Sequence, residues 1–269
     1  MLQLAALGRV LPFGIGGRRA LLLVERNVLV YRNSWMIILS GFFEPLFYLL
    51  AIGLGIGGIV GDVPGPDGTM IPYPVFVAPA LLASASMNGA IAESTFNVFF
   101  KLKFQKTYDA VLATPLGPGD VALGEIGWAV IRATLYALGF IVVIVLMGLV
   151  QSPWAVFAVP AATLLAFAFA ATGMAATTYM RSWQDFDLIS LVVLPLFLFS
   201  GTFYPLTAYP EPLRVLIMLT PLWQGVDMIR ALVTGYVDPS ILWHVAYLGT
   251  MGLIGLSIVG RRLDRLLLK

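Results

Sequence analysis

The chain has 269 residues, of which 59% are hydrophobic and only 11% charged, with a mean hydropathy of +0.92 and a formal net charge of +2. A soluble domain carries about a quarter charged residues, so this composition specifies an integral membrane protein. With no cysteine, one histidine (His244) and no clustered carboxylates, there are no ligands for a disulfide, a thiolate redox centre or a metal, and no nucleic-acid partner is expected.

Met1–Gly17 is mildly apolar and glycine-rich and lacks the apolar core and cleavage pattern of a secretory signal peptide. Arg18–Asn33, RRALLLVERNVLVYRN, predicts an amphipathic helix too charged to span. Leu22, Leu29 and Val30 fall near one face, with Arg19, Arg26 and Asn33 on another. Two roles fit it: an anchor on anionic lipid, or a helix that also touches a soluble partner.

A first span is expected from about Ser34 to Val60, long enough for the roughly 30 Å hydrocarbon core. Its GLGIGG, Gly53–Gly58, matches the dinucleotide fingerprint by letter. No strand precedes it, so these glycines read as close-packing positions at a helix end. Asp62–Pro72 reads as a turn-rich loop with two acids and no base. Span two covers about Tyr73–Phe100, kinked at Pro79, with a small polar middle of Ser84, Ser86, Asn88 and Gly89.

The stretch Phe99–Glu125, FFKLKFQKTYDAVLATPLGPGDVALGE, is a polar, partly basic island between apolar blocks. Lys101, Lys103 and Lys106 open it. Thr114-Pro115 and Gly117-Pro118-Gly119 then break the chain before the next helix starts at Asp120. A short helix is thereby clamped between two spans, and Tyr108, Val111 and Leu112 recur at helical spacing as a face that docks outside the bilayer. Span three follows at about Val121–Val150, span four at Trp154–Met180, and span five at Leu188–Tyr204 after the loop RSWQDFD. In Pro205–Ser240, apolar pieces too short to cross alternate with proline and glycine, which predicts a re-entrant or surface hairpin, with Asp227 and Arg230 placed to pair on one helix face. Span six, Ile241–Gly260, ends in RRLDRLLLK.

Thirteen of the sixteen Lys and Arg residues fall on one side of this arrangement: Arg9, Arg18, Arg19, Arg26, Arg32, Lys101, Lys103, Lys106, Arg181, Arg261, Arg262, Arg265 and Lys269. That asymmetry predicts six spans with both termini cytoplasmic. Glu44, Glu93 and Arg132 fall within the apolar slab, where a charge costs roughly 2.5–3.5 kcal/mol on insertion scales. Arg132 is therefore expected to neutralise one of the two glutamates, unless each lies close enough to an interface to snorkel.

Three strings carry a family resemblance: YDAVLATPLGPGDVALGE at Tyr108–Glu125, FLFSGTFYPL at Phe197–Leu206, and TPLWQGVDMIRALVTG at Thr220–Gly235. In this order of spans they resemble the permease subunits of ABC-2 type transporters, in the branch holding nodulation-factor (lipo-oligosaccharide) exporters and daunorubicin-type drug exporters. The three lysines ahead of Tyr108 depart from the Glu-Arg-Glu type run that many members carry there. The resemblance implies an all-α membrane protein of six transmembrane helices, with an amphipathic helix in a cytoplasmic segment 1–33 and a transmembrane domain at 34–269. Within that domain it implies a coupling loop at 101–120 and a re-entrant region at 205–240. It further implies a permease in the bacterial plasma membrane that exports a drug, glycolipid or lipo-oligosaccharide.

The chain has no phosphate-cradling G-x-x-x-x-G-K-[ST] motif, so it is not expected to be an enzyme, and ATP and magnesium would sit on a separate ABC ATPase subunit. By the same resemblance the motor pushes on Lys103, Lys106, Tyr108, Asp109, Val111, Leu112 and Ala113, assisted by Arg19 and Arg26. A second permease subunit, identical or related, completes the path among membrane lipids. Phe197, Phe199, Ser200, Gly201, Phe203 and Tyr204 would form an outer gate. The alternative is an ion-gradient-driven secondary transporter, which usually shows internal repeats, and none is found between the halves. A lipid-modifying enzyme would need a cluster of Asp, His or Lys at one interface, and none exists.

Overall fold

The computed structural model describes residues 17–32, 35–66 and 68–267. The signal-peptide reading of the N-terminus, together with Asn33, Ser34 and Lys269, lies outside the described residues. Helix α1 is Gly17–Arg32; α2 runs through Trp35–Tyr48, π-helical Leu49–Ile56 and Gly57–Val60. A hairpin of β1 (Asp62–Pro64) and β2 (Met70–Pro72) leads to α3, Tyr73–Lys103. Then come α4 (Thr107–Leu112), α5 (Pro118–Leu146), α6 (Pro153–Thr177), α7 (Asp185–Phe199), α8 (Glu211–Met218), α9 (Pro221–Thr234) and α10 (Ser240–Leu267).

Helices α3 and α6 form the centre, and α5, α9 and α10 pack around them. Alanines explain why these two can be buried: Ala78, Ala80, Ala83 and Ala90 in α3, and Ala162, Ala166, Ala168, Ala170 and Ala171 in α6, are fully enclosed. Between membrane helices, packing rather than water exclusion drives association, and small side chains let backbones approach. The polar residues among them turn back on their own helix, as Ser84 Oγ does to Ala80 O at 2.9 Å and Ser86 Oγ to Leu82 O at 3.1 Å.

Several boundaries differ from the sequence expectation. Asp62–Pro72 is an antiparallel hairpin rather than a loop, with Val63 paired to Ile71, both buried. Helix α5 begins at Pro118, because Gly117 serves as N-cap, its N–H donating to Asp120 Oδ2 at 3.0 Å, and proline at the first helical position loses no bond. Span six continues through the basic tail to Leu267.

Among the described residues, five helices are long and apolar enough to cross a membrane, and a sixth span is counted if α8 and α9, bent by 84°, act as one. Helix α7 has 15 residues, a rise of about 22 Å, short of the roughly 30 Å core. Its expected extension to Tyr204 ends at Phe199, because Gly201 turns at φ +67°, a conformation that costs a side chain dearly.

The break is held by Arg230 of α9, which donates from Nε to Phe76 O at 3.1 Å and from Nη2 to Gly201 O at 2.7 Å, while its guanidinium covers the Phe76 ring. The expected Arg230–Asp227 pair is therefore absent among the described residues. Backbone carbonyls of two other segments, Phe76 within α3 and Gly201 at the end of α7, take the arginine, and Asp227 faces His244 at 3.3 Å instead.

Candidate functional site

The short helix α4 stands where the sequence places it, but its faces divide the expected coupling residues. Lys103, Lys106, Asp109 and Ala113 are exposed, Leu112 is half-buried, and Tyr108 and Val111 are turned into the core. The apolar face thus anchors the helix to its own bundle, and the outward face is charged and small. Lys106, in the left-handed region at φ 48°, reverses the chain ahead of the helix, a placement uncommon for a residue with a side chain.

Helix α1 lies against this end. Ala20, Leu23 and Asn27 face α5, and Leu22, Leu29 and Val30 face away from the bundle. The close approach requires Gly124, since a Cβ there would fall 2.7 Å from Leu23 Cβ and 3.0 Å from Ala20 O. Exposed Arg19 donates from Nη1 to Pro115 O at 2.9 Å, and Arg26 donates to Asn27 Oδ1 at 3.4 Å.

Two polar nodes join α1 to the bundle. In the first, buried Glu125 accepts from Lys101 Nζ at 2.7 Å and from Asn27 Nδ2 at 3.2 Å, and Lys101 Nζ also donates to Asn27 Oδ1 at 3.2 Å. In the second, Arg132 pairs with Glu93, one of the two glutamates left open as its partner by the sequence, and donates from Nε to Tyr136 Oη at 2.7 Å. Tyr31 of α1 donates to Glu93 at 3.3 Å and accepts from Asn97 Nδ2 at 2.8 Å. Burial, reinforced by the Glu93 carboxylate, pushes the Tyr31 hydroxyl up to about 12, so it remains a donor. Glu93 and Asn97 are the ends of a π-helical turn inside α3, a distortion that recurs at functional positions.

A cavity of about 1330 Å³ opens between α2, α3 and α7. Phe197, Phe199, Phe203 and Tyr204 line it, with Ile52, Ile56, Val193 and Leu194, so the aromatic members of the expected gate share one wall. Ser200 and Gly201 do not reach it. Ser200 is buried with its hydroxyl 3.3 Å from Thr220 Oγ1, and Gly201 forms the turn. Glu44, the third expected intramembrane charge, lines the cavity and has no ion pair among the described residues.

Sequence reasoning did not assign Asn27, Tyr31, Asn97, Glu125 or Tyr136. The signals were there: Asn27 and Tyr31 lie four apart on one face of α1, and Tyr136 lies four after Arg132. An aromatic cluster also escaped it. Phe96 and Phe100 meet Trp183 at 5.1 and 5.2 Å, and Phe99 meets Phe186 at 5.2 Å, tying the foot of α7 to the end of α3.

Nodulation protein J of Rhizobium leguminosarum bv. viciae is 28% identical over 256 residues, covering 93% of this chain and 97% of that protein. Nodulation protein J of Rhizobium leguminosarum bv. trifolii is 31% identical over 226 residues, 83% of this chain and 84% of that one. The inner membrane transport permease YadH of Escherichia coli (strain K12) is 27% identical over 190 residues, 69% and 67% respectively. The model of the ABC-2 type transporter family matches residues 18–234, which takes in the amphipathic helix, the short helix, both polar nodes and the bent pair α8–α9. The chain is a multi-pass membrane protein that belongs to the ABC-2 type transporter family.

Proposed function

We propose that this chain is the membrane subunit of an ATP-driven exporter in the bacterial inner membrane, with both termini cytoplasmic. It moves an amphipathic or lipid-linked cargo such as a drug, a glycolipid or a lipo-oligosaccharide. The observation that carries the reading is the cavity of about 1330 Å³, whose walls are apolar and aromatic along α2 and α7 and polar only at a few points, as a site for an amphiphile requires. A separate ABC ATPase supplies the energy. It contacts α4 and its flanks, at Lys103 on the end of α3, at Lys106 and Ala113 on either side of the helix and at Asp109 on its outward face, with Arg19 beside it. Force on α4 reaches α5 through Glu125 and reaches α7 through the aromatic cluster at Trp183. For such a push to shift the bundle, α4 must meet the ATPase differently in its two nucleotide states.

A second permease subunit, identical or related, faces α7, where Leu188, Leu191 and Val192 are exposed and no residue is buried. Lipid covers Leu22, Leu29 and Val30 of α1. Placement of the basic residues on one side supports the orientation.

The test is co-expression with an ABC ATPase, purification of the complex and transport of a fluorescent amphiphile in proteoliposomes. Ala113→Arg with Asp109→Lys is expected to release the ATPase and abolish transport while leaving the permease's melting temperature unchanged. Transport driven by a proton gradient without any ATPase would replace this reading with the secondary transporter.

A further inference from the structure

Beside the large cavity lies a second, smaller one of about 250 Å³, and the two share the walls Glu44, Tyr48, Asn88, Ala92, Arg132 and Phe197. The smaller space adds Ser84 and Tyr136, so polar groups concentrate where the apolar chamber narrows into it. Its depth follows from its walls: Asn88 lies near the middle of Tyr73–Lys103 and Arg132 near the middle of Pro118–Leu146.

The charges there do not balance. Arg132 is already neutralised by Glu93, with Nε on Tyr136 Oη and Nη1 also directed at Tyr31. Ser84 is satisfied by its own helix. Glu44 has neither hydrogen bond nor ion pair among the described residues, and the Asn88 amide is likewise unpartnered. Glu44 is exposed to this space, and Arg132, the cation that shares its walls, is already paired with Glu93, so the carboxylate is open to a positive group from outside the chain. An unpartnered amide beside it, and the Tyr136 hydroxyl, which accepts from Arg132 and retains its own proton to donate, complete a set of groups facing one small space.

We propose that this side pocket is a head-group subsite. Glu44 binds the ammonium group of a cationic amphiphile, Asn88 and Tyr136 hydrogen-bond the polar atoms next to it, and the apolar body of the same molecule lies along Phe197 in the larger chamber. The proposal rests on the reading of that chamber as the cargo path and adds the charge of the cargo.

The experiment uses the full chain in nanodiscs with two probes of equal alkyl length, a dansyl-labelled alkylamine and the matching dansyl-labelled alkanol, with empty nanodiscs as the partition control. Because the chain has no cysteine, Phe197→Cys labelled with bimane reports chamber occupancy at a single place. The amine is expected to bind about tenfold more tightly than the alcohol, the step between a charged and a neutral hydrogen bond. Glu44→Gln should remove that preference, Glu44→Asp should keep most of it, and Asn88→Leu should weaken both probes. If bimane reports both probes equally and Glu44→Gln changes nothing, the subsite is wrong and the cargo chamber stands. If bimane responds to neither probe and neither alters ATP turnover of the reconstituted complex, the chamber reading fails and the subsite with it.

Discussion

Tyr108 of α4 and Glu125 of α5 face each other beneath the bundle, each only 1% exposed, and each keeps an oxygen without a hydrogen bond, the Tyr108 hydroxyl and Glu125 Oε1. Burial, with the Glu125 carboxylate beside it, pushes the Tyr108 hydroxyl well above the ordinary tyrosine value of 10.0. The pair sets a donor beside an acceptor, on the helix expected to receive force and the helix expected to pass it on. Tyr108→Phe removes only the hydroxyl and keeps the buried ring, and should change stability by about 1 kcal/mol. Tyr108→Asp would bury a second carboxylate next to Glu125 and should cost about 3 kcal/mol or more. Thermal unfolding in detergent, followed by intrinsic fluorescence, separates the two. An unchanged melting temperature for Tyr108→Asp would mean the side chain faces outward.

Arg132 and Glu93 make a second prediction. Arg132→Leu leaves Glu93, 1% exposed at its side chain, as an unpaired buried charge, and breaking such a pair typically costs about 3–5 kcal/mol. The double variant Arg132→Leu with Glu93→Leu should recover much of the loss, because no buried charge is left over. Denaturant titration in micelles measures both, and a double variant no more stable than the single one would argue against the pair as the source of the loss.

The seat of α1 on α5 depends on Gly124. Gly124→Val places new carbon within 2.7 Å of Leu23 Cβ and 3.0 Å of the Ala20 backbone, and a backbone neighbour cannot swing aside. Helix α1 should lift, breaking the Asn27–Glu125 bond at 3.2 Å. Spin labels on α1 and α5 are expected to show a longer and broader distance distribution in the variant than in the native chain.

The turn before α7 carries a pH dependence. Asp185 Oδ2 accepts from Arg181 N at 2.6 Å and Ser182 N at 3.1 Å, and these backbone bonds hold its carboxyl below the ordinary value of 3.8. Since the folded value is the depressed one, the stabilisation is present above the unfolded value and is lost as pH falls through the folded value. Hydrogen exchange of residues 181–187, corrected for the intrinsic effect of pH, should show this loss of protection in the native chain and none in Asp185→Asn, which starts without the carboxylate.

Much of this protein is written in one dimension. Hydropathy over some twenty residues names a span wherever the chain crosses lipid, since no other solvent rewards so long an apolar run. Proline and glycine mark the ends of α4 because they act on their own backbone torsions, whatever surrounds them. That Arg132 meets a glutamate is also legible, because a charge at membrane depth must be answered by another and only two are on offer; that Glu93 is the one is not. The tertiary structure decided which way things face. Periodicity shows that Tyr108 and Val111 share a side of α4, but only the position of Glu125 and the bundle makes that side the inner one. Asp227 and Arg230 are three apart on one helix, yet Arg230 goes to the carbonyls of Phe76 and Gly201, because a buried guanidinium needs acceptors and the fold brings those two to it. Among the described residues Glu44 has no ion pair for the complementary reason: its isolation is a property of the cavity around it, and a cavity exists only once three helices have come together.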